Sequence, residues 1–375
     1  MLALLSRGAC LRALRPARRA AAVFRGARAT GRAATAGGAS AMSTSSSSVH
    51  RSGAPALSAC ELVARMFDAS ADAADAPRDF SALSLALELR VALDAAELAG
   101  AAICAIRDAC EGDGQGGLQT REKAGGEGPV TSADLAADAI ICDALRLAFP
   151  GDAIVSEEGP MPSGASGRRT WFVDPLDGTK NFVRGSDDWC VLVALVDEAG
   201  TPVLGVVHQP AARTTWCGVS TATVKRAWRV RDGAAAPLPP LQTALRPDAA
   251  LRFAAAGPFH ARFPPLVERF TRRQPANVPM GSAGLKAALL ADGAAEVYAS
   301  PFRGMHLWDV AAGHALLAAL GGRLTALDNS AVAYATGDLV LRKGVFFSGP
   351  AVDDQLRNEI CDMYSYISGK VSGKA

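Results

Sequence analysis

The stretch Trp171-Phe-Val-Asp174-Pro-Leu-Asp177-Gly-Thr179 constrains this chain more than any other. Three apolar residues read as a buried strand, and the strand runs straight into two carboxylates. Pro175 fixes its own φ, while Gly178 permits a tight turn and a close backbone approach. Asp174 and Asp177 can therefore converge on one point at the carboxyl end of the strand. Carboxylates held that way repel one another unless they share a proton or a divalent cation.

Two further acidic positions sit at element ends. Ile154-Val155-Ser156-Glu157-Glu158 places a glutamate pair after another apolar run, and Leu307-Trp308-Asp309-Val310 places Asp309 at the start of an apolar helix. Taken alone, Asp309 is a helix N-cap and the glutamates are a solvated turn. Four acids at element ends around one Asp-Pro-Leu-Asp-Gly-Thr loop make a stronger case together. Hard oxygen ligands of this kind favour magnesium, which keeps several waters and shares its shell with substrate phosphate.

The surrounding sequence supplies a scaffold. Helical periodicity runs through 82–110 on Leu85, Leu87, Leu89, Val91, Leu93, Leu98, Ile103 and Ile106. A Gly-rich charged loop is expected over Glu111–Gly128. Ser132 is then expected to cap a helix that ends near Phe149, before Pro150-Gly151. Strands are expected at Ala153–Val155, Trp171–Val173, Val191–Val196, Val203–Val207 and Thr214–Val219. Residues 231–250, rich in Ala and Pro, read as a lobe boundary. Beyond it come a strand at Leu251–Ala255, a helix at Ser282–Ala291, a strand at Glu296–Ala299, a helix from Trp308 to Leu320 and a last helix near 352–368. Alternating helices and strands predict an α/β layered sandwich without internal repeats.

Charge separates the start of the chain from its body. Residues 1–60 hold no Asp or Glu but carry nine arginines, the last of them Arg51. An Arg- and Ser-rich, acid-free start mixed with Leu and Ala predicts an organelle transit peptide over 1–55, mitochondrial or plastid, followed by a linker at 56–80. Met42 offers a second start and hence a cytosolic form. A disordered nucleic-acid-binding tail is the alternative. Without those nine arginines, 30 basic residues face 37 acidic ones, so the body is mildly acidic. That argues against nucleic-acid polymer binding through bulk charge. No stretch reaches the roughly eighteen apolar residues of a membrane-spanning helix, so no membrane partner is expected. The eight cysteines include no C-x-x-C or zinc spacing and read as reduced, buried thiols.

The segments "WFVDPLDGT", "VSEEG", "LWDVAAGHALLAALGG" and, upstream, "PVTSAD" occur in the order in which the inositol monophosphatase superfamily carries them, and over about 82–350 the chain resembles that superfamily of lithium-sensitive, magnesium-dependent phosphatases. The resemblance implies the sugar-phosphatase type of α-β-α-β-α sandwich in two lobes, an N-terminal α+β lobe at 81–235 and a C-terminal α/β lobe at 250–375. It implies two to three magnesium ions. Glu157, Asp174 and the Leu176 carbonyl would hold the first, and Asp174, Asp177 and Asp309 the second, with Asp134 near a weaker third. Thr179 with Asp134 would take the proton from the attacking water, and the Gly178 and Thr179 amides would hold phosphate oxygens, as helix N-termini do. An aspartyl-phosphate mechanism on Asp174 is disfavoured by the Pro-Leu-Asp-Gly-Thr continuation and the remote glutamate pair.

Three features resemble the 3'(2'),5'-bisphosphate nucleotidases within that superfamily: Lys180 after the metal loop, Ser282-Ala-Gly-Leu-Lys286, and Tyr298-Ala-Ser300-Pro301 where inositol-binding relatives carry an acid. A second, unreacting phosphate needs cations, whereas a polyol needs acceptors. Ser282, Lys286 and His260 are the candidate substrate contacts. Each has a plainer reading: Lys286 as a helix lysine, Lys180 as a partner of a metal-site carboxylate, His260 as a surface histidine. His314 reads as helix packing, Trp171 and Trp308 as core, and His208 receives no role. The expected substrate is a small phosphate ester, first 3'-phosphoadenosine 5'-phosphate. The alternatives are an inositol-phosphate or sugar-phosphate phosphatase and, in another class, a non-catalytic metal or ligand sensor.

Overall fold

The structure is a computed structural model that describes residues 80–112, 120–122, 129–160, 168–301, 304–334 and 337–369. The expected leader, and all of the linker but Phe80, lie outside the described residues. The first lobe opens with helix α1 (Phe80–Gly112), a short hairpin of β1 (Thr120–Glu122) and β2 (Pro129–Thr131), and α2 (Ser132–Ala148). β3 (Ala153–Ser156), β4 (Thr170–Asp177), the single-turn α3 (Thr179–Val183) and β5 (Cys190–Val196) follow. The lobe closes with β6 (Pro202–Gln209), β7 (Thr214–Ser220), β8 (Lys225–Arg231) and β9 (Ala234–Pro237). The second lobe comprises β10 (Leu251–Ala255), α4 (Phe263–Thr271), β11 (Pro275–Pro279), α5 (Ala283–Ala291) and β12 (Val297–Ser300). It ends with α6 (Leu307–Ala319), β13 (Arg323–Thr325), β14 (Val345–Ser348) and α7 (Asp354–Ile367).

β3 to β9 form a seven-stranded sheet in chain order, antiparallel except for the parallel β3–β4 pair. The second sheet has the order β11-β10-β12-β14-β13. Period-two alternation sorts the first sheet's side chains. Trp171, Val173, Val191, Val193 and Leu195 pack with α1 and α2 on one face, while Phe172, Leu192 and Ala194 pack with α5 and α6 on the other. Covered on both sides, β4 and β5 are buried throughout, which is why their sequence reads as continuous apolar runs. The second sheet lies beyond α5 and α6, and α4 and α7 cover its outer face through Val267, Ile360 and Met363. The layers are α-β-α-β-α, as expected.

Chain order and packing part company at the lobe boundary. α5 and α6 belong to the second stretch of sequence but join the core of the first sheet. A Cβ on Gly205 of β6 would lie 2.2 Å from the Ala312 carbonyl oxygen of α6, so helix and strand touch backbone to backbone there.

Several local expectations are corrected. Thr131, not Ser132, caps α2: its hydroxyl accepts from Ala133 N at 3.1 Å, and Asp134 completes a capping box. Leu87 does not join the buried stripe of α1, because a helix returns to the same face after three or four residues and not after two. The expected loop at 111–128 contains β1, and the sheet continues through β8 and β9 into the expected boundary. β11, Pro-Ala-Asn-Val-Pro, carries turn residues and becomes a strand only by pairing in parallel with β10.

Candidate active site

β4 and β5 pair Asp174 with Leu192 and Asp177 with Cys190, so β4 advances three residues while β5 advances two. The surplus residue is a bulge at Pro175-Leu176, where a proline deprives the ladder of no donor it needs. In an unbroken strand, residues three apart face opposite sides. The bulge turns Asp177 to the side of Asp174, toward α5. Both carboxylates are buried.

Each is tied to the scaffold. Asp174 Oδ1 accepts from Leu176 N at 3.0 Å. Asp177 Oδ2 accepts from Ser282 Oγ at 2.5 Å and Gly284 N at 2.6 Å, with Cys190 Sγ at 3.6 Å. Asp309 Oδ2 accepts from His306 N at 2.7 Å as the third residue of α6. Asp309 is therefore not the N-cap, which is His306, but the capping-box partner behind it, a role compatible with a second one. Glu157 follows β3, its amide donating to Val173 O at 3.1 Å.

The electrostatics show a cluster that is incomplete by itself. Burial pushes the Asp174 carboxyl well above its ordinary range, and the charges of Glu157, Asp177 and Asp309 push it further. Burial also raises Asp177, against the donors Ser282 and Gly284 and the charge of Lys286. Several ionised carboxylates in an enclosed site cost several kcal/mol unless a cation or proton joins them. The oxygen-only donor set fits a hard divalent cation. Among the described residues the acids do not close into a ready-made cage of three ligands, since their scaffold bonds set their present orientations.

Beside the cluster, Thr179 Oγ1 lies 3.0 Å from Asp134 Oδ1 and 3.0 Å from the Leu176 carbonyl oxygen. Its single proton serves one acceptor at a time. Asp134 Oδ2 takes Thr131 N at 2.8 Å and Thr131 Oγ1 at 2.5 Å, so capping of α2 aims the other oxygen at Thr179. Gly178 has a φ of 97°, and a Cβ there would lie 2.8 Å from the Asp188 carbonyl oxygen. Only glycine makes this turn, which delivers the Thr179 amide as the first of α3.

The structure thus brings Asp134, Glu157, Asp174, Leu176, Asp177, Gly178, Thr179 and Asp309 together. Lys286 joins them: it is buried, donates to Gly281 O at 3.2 Å, and sits 5.0 Å from the Tyr298 ring centroid. Burial lowers its pKa against the attraction of Asp177 and Asp188. Ser282, expected to meet substrate, instead caps α5 by accepting from Leu285 N and donates its hydroxyl to Asp177. His260 is exposed after β10, its Nδ1 accepting from Arg262 N at 3.3 Å, and among the described residues no contact joins it to the cluster. Lys180 is exposed on α3. His314 is half-buried beside the Tyr334 hydroxyl at 3.1 Å, and His208 is buried against Thr215 Oγ1 at 2.8 Å. Cys190 and Asp188 escaped the sequence reading, because only strand register and lobe packing bring them to the site.

A model of the inositol monophosphatase family matches residues 88–359. The chain belongs to the inositol monophosphatase family. It is a phosphatase, an enzyme that hydrolyses phosphate monoesters. It is 33% identical over 204 residues to the 3'(2'),5'-bisphosphate nucleotidase CysQ of Escherichia coli (strain K12), covering 52% of this chain and 75% of that one. It is 37% identical over 206 residues to the histidinol-phosphatase of Mycobacterium tuberculosis, covering 54% and 76%. The fold matches that of an inositol monophosphatase from Anabaena (Nostoc) sp. PCC 7120 with a TM-score of 0.55 at 23% identity, over 74% of this chain and 97% of the other. The family's layered architecture is the one described above.

Proposed function

We propose that this phosphatase is a magnesium-dependent 3'(2'),5'-bisphosphate nucleotidase that converts 3'-phosphoadenosine 5'-phosphate to AMP and phosphate. The observation that carries the reading is a buried Asp174 crowded by Glu157, Asp177 and Asp309, with the largely buried ammonium of Lys286 attracted to Asp177. The similarity to nucleotidases named CysQ supports the choice of substrate.

Glu157, Asp174, the Leu176 carbonyl, Asp177 and Asp309 would hold two to three magnesium ions. Bound there, such ions supply charge neutralisation and acidify water. The remaining chemistry belongs to the chain. Thr179, poised between Asp134 and the Leu176 carbonyl, takes the proton of the attacking water and relays it to Asp134. The Gly178 and Thr179 amides hold the oxygens of the reacting phosphate. α3 has only five residues, so this grip rests on the N–H groups and little on a helix dipole. Lys286 has three donors and uses one on Gly281; the others serve the phosphate that is not cleaved.

The same reading includes inhibition by lithium, which competes for hard oxygen ligands, and takes the arginine-rich start as a transit peptide for a mitochondrion or plastid. The test is phosphate release in magnesium from 3'-phosphoadenosine 5'-phosphate, inositol 1-phosphate, fructose 1,6-bisphosphate and histidinol phosphate. The bisphosphate nucleotide should give the highest kcat/KM. A higher value for any other ester removes the nucleotidase reading and leaves the phosphatase.

A further inference from the structure

The strap of residues 184–189 joins α3 to β5 and is pinned from several directions. Arg107 of α1 donates to Asp187 Oδ1 at 2.8 Å and lays its guanidinium 5.7 Å from the centroid of Trp189. Gln209 at the end of β6 donates to the Asp187 carbonyl at 3.0 Å. Asn181 Nδ2 holds the Asp188 carbonyl at 2.9 Å, and Asp188 N donates to Ser186 Oγ at 3.1 Å. Asp188 is therefore fixed to the first lobe by its own backbone and by its neighbour.

Its side chain reaches the second lobe. Asp188 Oδ2 accepts from Gly281 N at 3.1 Å. The carbonyl of the same residue, Gly281, accepts from Lys286, so that residue is gripped at both of its backbone groups. The fit is close: a Cβ at Gly281 would lie 2.3 Å from Asn181 Nδ2 and 2.8 Å from Asp188 Cβ. Just beyond it, Ser282 and Gly284 both donate to Asp177.

We propose that Asp188 is a positioning residue for the phosphatase reaction. By holding the Gly281 amide across the lobe boundary, it keeps Ser282 and Gly284 on Asp177 and keeps Lys286 facing the site. The proposal rests on the reading of Asp177 as an active-site carboxylate. What matters is a hydrogen-bond acceptor at this position, because the strap already places it. An ionised acceptor makes a stronger bond than a neutral one, but the geometry is the same for both.

The experiment compares Asp188→Ala with Asp188→Asn by steady-state kinetics on the best ester of the panel and by the Gly281 amide signal in nitrogen-edited NMR of the full chain. Asp188→Ala should lower kcat/KM by about 10- to 100-fold, the range of one charge-assisted hydrogen bond, and should expose the Gly281 amide to exchange. Asp188→Asn, whose side-chain oxygen can accept the same N–H, should keep the amide protected and restore most of the activity. Protection of Gly281 in the alanine variant overturns the proposal. So does an asparagine variant that keeps the amide protected but loses activity more than tenfold, and this arm stands even if the alanine variant fails to fold. If wild-type protein hydrolyses none of the esters, the phosphatase reading fails, while the amide signal still decides the Asp188–Gly281 joint.

Discussion

Asp177 carries several constraints at once. It receives a hydroxyl, a backbone amide and a thiol, while burial raises its pKa against those donors and the charge of Lys286. Asp177→Asn keeps the size but removes a charge and turns one acceptor into a donor facing Ser282 or Gly284. Turnover should fall about a thousandfold or more, since electrostatic stabilisation of this kind is worth several kcal/mol. The fold should persist, because one of several crowded negative charges has gone. Near-wild-type turnover in saturating magnesium would exclude a direct role. Lys286 tests substrate choice at the same scale. Lys286→Met keeps the stem against Tyr298 but loses the ammonium. The bisphosphate should lose about 10- to 150-fold in kcat/KM and a monophosphate much less. Equal losses would assign Lys286 to the Gly281 joint alone.

At the scale of elements, the contact of β6 with α6 deserves a direct test, because α6 carries Asp309 at its first turn. Gly205→Ala places a methyl group 2.2 Å from a carbonyl oxygen that a helix backbone cannot withdraw. Overpacking typically costs about 1–3 kcal/mol, and a backbone-to-backbone contact leaves no rotamer to relieve it. Urea unfolding should show a loss at or above that range, and phosphatase activity of the folded fraction should fall as α6 is displaced. Stability within about 0.5 kcal/mol of wild type would mean that β6 and α6 separate freely. The elements legible in the sequence were those with strong local signals: the apolar runs of β4 to β7 and the bodies of α2 and α6, though their caps fell at Thr131 and His306 and not where expected. β1, β2, β8, β9, β11, β13, β14 and α4 were missed, because short, half-exposed or proline-containing segments take their form through their partners.

For the whole molecule, acid response should come partly from two imidazoles outside the carboxylate cluster, one buried and one half-buried. Burial pushes His208 and His314 down to about 4 from an ordinary 6.5. His208 faces Thr215 in a cleft it shares with Glu97, Arg213, Asp232 and Cys104; His314 faces Tyr334. The unfolded chain takes up protons below about 6.5 that the folded chain refuses. The stability these rings contribute is therefore complete above that pH and is lost as pH falls toward 4. Glu97 works in the opposite direction: burial, then the charge of Asp94, raises it to about 7, so it favours the folded state as pH falls from 7 to its ordinary 4.5. The wild-type curve mixes these effects, but a substitution separates them. The double variant His208→Gln, His314→Gln should lose about 4 kcal/mol less than wild type between about pH 7.5 and about pH 5, roughly 2 per ring. Parallel pH profiles in urea unfolding would show that both rings are protonated in the fold.

Sequence alone determined the chemistry-bearing types and their local frames. Asp174-Pro-Leu-Asp177-Gly-Thr179, Glu157 after a strand and Asp309 opening a helix are each set by neighbours within a few residues, where Pro, Gly and capping act. Tertiary structure alone decided which of them share a volume. The bulge that turns Asp177 beside Asp174 exists only against β5. Ser282 became a support for Asp177 because α5 docks on the first sheet. Asp188 came into play only when the two lobes met at Gly281. Short-range backbone rules are written in consecutive residues, whereas a contact between positions about a hundred residues apart depends on how sheets twist and helices pack, and no local pattern records it.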